Sequence, residues 1–225
     1  MSIGARFYFN LHGVGAPHAG VDDDERPYWL TPERLGEVLA LVGTHTPDVS
    51  VTFDDGNISD LEIALPLLKQ NGVHAHFFVP TDRIGAPLYV SADDIRALHK
   101  EGMKIGSHGR AHVEWPLLSD AELQEEIVRP LNVLADIIGE PVCSVGVPFG
   151  AYDGRVLSQL RKAGVERVFT SDGGPCLPGA WLVPRNSVRS DMALSQVEAM
   201  LARRRDPAIF YLRAAKRVGR RMLRV

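Results

Sequence analysis

Short apolar runs alternate along the chain with segments whose apolar residues recur every three or four positions. The runs predict strands near residues 6–11, 49–53, 74–79, 103–107, 142–147, 165–170 and 181–188. The amphipathic segments predict helices over 32–42, 58–71, 92–101, 120–138 and 154–163. Three helix starts are marked by residue type: Thr31-Pro32, Ser91 with Asp94, and Ser119 with Glu122. Strands alternating with helices predict a parallel sheet covered by helices. No repeat, low-complexity stretch or linker divides the chain, so its 225 residues read as one α/β domain.

Two strings at predicted strand ends carry the chemistry. Thr52-Phe53-Asp54-Asp55-Gly56 offers adjacent carboxylates, and Ser107-His108-Gly109-Arg110-Ala111-His112 offers two imidazoles at i, i+4. Two nitrogens and one carboxylate oxygen leave a divalent metal with open positions, as catalytic sites require, and the second carboxylate is then free to act as a base. Neighbouring side chains on a regular strand point to opposite faces. The two aspartates can share a site only if the strand ends there, and Gly56 permits that break. Alone, Asp-Asp-Gly is an ordinary turn sequence and His-x-x-x-His an ordinary surface pair; their joint placement at strand ends favours the metal reading. His74 and His76 lie within a predicted strand and read as packing residues.

These strings resemble the polysaccharide deacetylases of carbohydrate esterase family 4, the NodB-homology domain. The resemblance implies a distorted (β/α)7 barrel, with Asp54 as catalytic base and Asp55, His108 and His112 as ligands of one divalent metal. Zinc comes first, with cobalt, nickel or iron also accepted by such ligands. Val147-Pro148-Phe149-Gly150-Ala151-Tyr152 looks like the family's third motif, which implies that Pro148, Phe149 and Tyr152 line the groove and that a backbone N–H meets the oxyanion. Phe169-Thr170-Ser171-Asp172-Gly173 sits where the fourth motif belongs. Two departures stand out. The family's third-motif Arg is replaced by Gly146, and Arg185 is the candidate substitute as partner of Asp54. The family's last motif ends in a general-acid His, but no His follows His112. The run Phe7 to Val14 ends in His12 and resembles the circularly permuted branch, where that motif lies at the amino end. His12 is then the acid, with Asp172 as its expected partner.

Composition narrows the setting. With 45% hydrophobic and 24% charged residues and a net charge of −3, the chain has no overall reason to bind nucleic acid. Two cysteines, Cys143 and Cys176, suit a reducing compartment better than a disulfide framework. The first residues lack a signal-peptide pattern, so a cytoplasmic location is expected, with the inner membrane face as a second setting. Residues 203–225 are rich in Lys and Arg, with Tyr211, Ala215, Val218, Met222 and Val225 at helical spacing. They read as a basic amphipathic helix beyond a catalytic domain spanning 1–202. Such a helix packs on its own domain or touches anionic lipid.

The reading that follows is a metal-dependent hydrolase removing N-acetyl groups from a sugar in a polysaccharide or glycan precursor. Two alternatives stay open: a catalytically weak carbohydrate-binding member of the same fold, and an O-acetyl esterase. An iron oxygenase would use the same ligand set but has no use for Asp54.

Overall fold

Eight strands form one sheet in the order β7-β6-β5-β4-β3-β2-β1-β8, every neighbouring pair parallel. The strands are β1 (Phe7–Leu11), β2 (Val49–Phe53), β3 (Ala75–Val79), β4 (Lys104–Ser107), β5 (Ser144–Gly146), β6 (Arg167–Thr170), β7 (Leu182–Pro184) and β8 (Asn186–Ser187). The two outermost strands are consecutive pieces of one segment, broken at Arg185. Its first half pairs with β6 and its second with β1, so the ring closes through the chain itself. Six strands plus this shared seventh make the distorted (β/α)7 barrel. The computed structural model describes residues 4–206 and 208.

Around the sheet lie α1 (Pro32–Gly43), α2 (Leu65–Gln70), α3 (Ala92–Lys100), α4 (Asp120–Ile138), α5 (Gly154–Lys162) and α6 (Leu194–Ala202). A π-helical turn over Asp60–Ala64 leads into α2. Local chemistry sets the starts. Capping boxes open α3 (Ser91 with Asp94) and α4 (Ser119 with Glu122), while Thr31 and Asp153 accept from backbone N–H groups of Arg34 and Val156. The helix α6 is absent from the sequence expectations. It begins at Ala193, which has no capping oxygen, and only Val197 and Leu201 are buried along it.

Strand alternation produces two cores. Phe7, Phe9, Leu11, Val51, Phe53, Phe77 and Val79 face outward and pack under the helices with Leu35, Leu39, Leu68 and Leu98. Fully burying each such side chain contributes about 1.5–3 kcal/mol. The barrel interior is a smaller cluster of Tyr8, Phe78, Phe169, Cys176 and Val183. Here Phe78 needs glycines: a Cβ on Gly106 would lie 2.5 Å from its ring, and one on Gly146 2.8 Å. His76 stacks on Phe78, and His74 is exposed, so neither approaches the candidate ligands. No disulfide joins Cys143 to Cys176.

No helix among the described residues is long and apolar enough to cross a membrane. Arg203–Arg205 form a 3-10 turn after α6; the rest of the expected basic helix, apart from Asp206 and Ala208, lies outside the described residues.

Candidate active site

Both motif strings end strands on the same rim of the barrel. After β2 the ladder continues for one bond, from Asp54 N–H to Leu11 O, and then the chain turns sharply. Asp55 takes φ 77° and Gly56 φ 65°. The break expected at Gly56 therefore begins one residue earlier, on Asp55 itself, and this brings neighbouring carboxylates to one side. A non-glycine residue in the left-handed region is uncommon. Besides Leu88, the other described cases are His112 and Phe149, both at φ 55° and both at this site.

The string Ser107 to His112 forms a loop that Glu126 of α4 holds from behind. This buried carboxylate accepts from the backbone N–H of Arg110 at 2.9 Å and of Ala111 at 3.1 Å. The result is a compact donor set. Asp55 Oδ1 lies 3.2 Å from His112 Nε2 and 3.8 Å from His108 Nε2, and all three ligand atoms fall within 4.8 Å of one another. Asp55 Oδ1 is buried and accepts no hydrogen bond. The backbone carbonyl of Gly146 lies 2.8 Å from His108 Nδ1, which accounts for that ring's proton and leaves the Nε2 lone pair free. Burial, foremost, lowers the pKa of both imidazoles to about 4, so both are neutral at pH 7. An orphaned carboxylate oxygen beside two neutral imidazoles fits a divalent metal.

Asp54 is held differently. Its Oδ1 accepts from Arg185 Nη1 at 2.6 Å and its Oδ2 from Asn10 Nδ2 at 2.9 Å. Arg185 Nη1 also reaches Asn10 Oδ1 at 2.7 Å, and Thr52 donates to that same oxygen. Burial alone would raise the Asp54 pKa; Arg185 above all, then His108 and His12, outweigh it and hold the carboxyl well below the usual range. The expected contact between Arg185 and Asp54 is present, while position 146 carries no side chain. The reason is steric, because Phe78 fills the space a side chain at 146 would need.

A cavity of about 250 Å³ opens on this cluster. His12, Tyr28, Asp54, Asp55, His108, His112 and Phe149 line it, as do Asn10, Asp24 and Glu25. His12 follows β1, its ring 4.9 Å from that of Tyr28, and its buried Nδ1 has no hydrogen-bond partner. The Phe149 ring, 57% exposed, lies 4.5 Å from that of His112. Other expected residues sit deeper. Tyr152 is buried and its hydroxyl donates to Asp172 Oδ2 at 2.6 Å, an oxygen that also accepts from Thr170 at 2.8 Å. These hydrogen bonds tie Asp172 to Tyr152 and Thr170. Pro148 is buried in the turn that presents Phe149. The parts played by Asn10 and Glu126 depend on contacts between distant segments, which local sequence patterns do not show.

The polysaccharide deacetylase family model matches residues 42–168. The chain belongs to the polysaccharide deacetylase family. The protein YxkH of Bacillus subtilis (strain 168) is 26% identical over 148 residues, covering 64% of this chain and 52% of that protein. A chitin deacetylase of Pestalotiopsis sp is 29% identical over 111 residues, covering 49% of this chain and 37% of that enzyme. The chain thus spans about half or less of the length of these curated relatives. The structure of the Streptococcus pyogenes deacetylase PplD in complex with acetate superposes with a TM-score of 0.75 at 16% identity, covering 87% of this chain and 97% of that one, a likeness of fold.

Proposed function

We propose that this member of the polysaccharide deacetylase family is a metal-dependent N-deacetylase acting on an N-acetylated sugar in a polysaccharide or glycan precursor. One observation carries the reading: a single cavity gathers Asp55, His108 and His112, a separate carboxylate on Asp54, and His12. Asp55, His108 and His112 would hold the ion. A divalent ion, when bound, supplies Lewis acidity that polarises the amide carbonyl and acidifies water.

The chain's own residues supply the rest. Asp54, kept ionised by Arg185 and oriented by Asn10, takes a proton from the water that attacks the acetyl carbon. The backbone N–H of Phe149, in the strained turn at the cavity wall, is the donor for the tetrahedral oxyanion. His12 gives a proton to the sugar nitrogen as the C–N bond breaks, releasing acetate and a free amine. Amines leave poorly unless protonated, so amide cleavage needs this acid more than ester cleavage does. Arg185 standing in for the third-motif Arg weighs against a non-catalytic carbohydrate-binding member. A cytoplasmic setting and a contact of the basic segment 203–225 with anionic lipid belong to the same proposal.

The test is acetate release from N-acetylglucosamine oligomers, with and without chelation and zinc resupply. We expect release that chelator abolishes and zinc restores. Zinc-loaded protein releasing acetate from O-acetylated sugars but not from N-acetylated oligomers or glycolipids would replace the reading with the esterase.

A further inference from the structure

We propose that Arg83 sets an upper limit on how tightly this site holds its metal. The inference rests on Asp55, His108 and His112 being the ligands. Arg83 belongs to the 3-10 turn Thr81–Arg83 that follows β3, and it approaches the ligands from behind rather than lining the cavity. Its Nη1 lies 3.5 Å from Asp55 Oδ1, the same oxygen that faces both imidazoles. Its Nη2 lies 3.2 Å from His112 Nδ1.

This placement is fixed by the backbone. Thr81 N–H donates to Gly109 O at 3.1 Å and Asp82 N–H to Arg110 O at 2.9 Å, strapping the Arg83 turn to the loop that carries both histidines. The guanidinium also rests over the Tyr89 ring, 5.1 Å from its centroid.

The two imidazoles therefore differ at their rear nitrogens. His108 meets a carbonyl, the kind of partner that keeps the proton at the rear and the lone pair toward an ion. His112 meets a guanidinium, which can only donate. Accepting that hydrogen bond takes the Nδ1 lone pair and places the ring proton on Nε2, the nitrogen facing Asp55 Oδ1. Ligation through Nε2 must then give up the Arg83 contact. Arg83 also brings a full positive charge toward the position of an incoming cation and offsets the charge of Asp55. Arg185, by contrast, spends its charge on Asp54, which is not a ligand. The hydrogen bond and the charge of Arg83 act in one direction, against metal affinity.

The experiment measures the zinc dissociation constant of the full chain, stripped of metal, by competition with a chromophoric chelator. Arg83→Met and Arg83→Gln are compared with the parent and with His108→Ala, each checked for folding by circular dichroism. We expect both Arg83 variants to bind zinc about tenfold tighter or more, as loss of a nearby like charge requires. If Arg83→Met does not fold, Arg83→Gln alone decides. Unchanged or weaker zinc binding in a folded Arg83 variant, with His108→Ala binding lost, overturns the Arg83 inference and leaves the metal site standing. Undiminished zinc binding by His108→Ala overturns the ligand assignment and the inference with it.

Discussion

Asp54 and Asp55 are neighbours in sequence with opposite surroundings, and the difference supports the separate roles proposed for them. Asp55 Oδ1 faces imidazoles and accepts no hydrogen bond, whereas both oxygens of Asp54 are held, by Arg185 and Asn10. Removing the Arg185 charge should let burial raise the Asp54 pKa. In Arg185→Met the acid limb of the kcat/KM profile should therefore move to higher pH; an unmoved limb in a folded variant would separate Arg185 from the base. His12 is tested by leaving group. His12→Ala should retain its metal yet lose roughly a hundredfold or more in amide turnover, the range for a lost general acid, and much less on activated esters. Equal losses on both substrates would remove His12 from the proton transfer.

At the scale of elements, α4 positions the site without touching the cavity. Glu126 accepts two backbone N–H groups between the histidines, and a Cβ on Gly109 would lie only 3.0 Å from its Oε2. Charge-assisted bonds of this kind contribute about 1.5–3 kcal/mol. Glu126→Ala should lower the melting temperature and weaken zinc binding, because the loop no longer fixes His112; Glu126→Gln should recover part of both. Zinc binding unchanged in Glu126→Ala would deny α4 this role. Such supports explain what the sequence revealed and what it concealed. The strand and helix periods, the capping boxes and the paired motifs were readable because each is local. Glu126 looked like one more polar position on an amphipathic helix, and Asn10 like an ordinary strand residue. Tyr152 fitted a groove residue by motif, but its hydroxyl turns inward to Asp172. Arg185 was inferable only as the replacement for an absence at Gly146, and the reason for that absence, the ring of Phe78, is visible only in three dimensions.

At the scale of the whole molecule, barrel closure and site assembly depend on the same residue. The segment from Leu182 to Ser187 joins β6 to β1, and its break at Arg185 sends that side chain inward to Asp54. The buried interior also makes stability depend on pH. Burial first, then Arg167, Lys104 and Arg185, lower the His76 pKa to about 3. An unfolded His titrates near 6.5. Between these values the unfolded chain binds the proton more readily, so the contribution of His76 to stability is largest above about pH 6.5 and declines as pH falls toward 3. His76→Phe, which preserves a ring against Phe78, should flatten the fall in melting temperature between pH 7 and pH 4 of chelated protein; an identical slope would show that His76 contributes no linkage.

In the proposed mechanism three residues hold a metal while a fourth, beside it, performs the proton transfer. It is tested most directly by acetate release from N-acetylglucosamine oligomers by Asp54→Asn loaded with zinc to the same occupancy as the parent protein. We expect full zinc occupancy with turnover lost by several orders of magnitude. Substantial turnover by the zinc-loaded variant, or failure of Asp54→Asn to bind zinc at all, would contradict it.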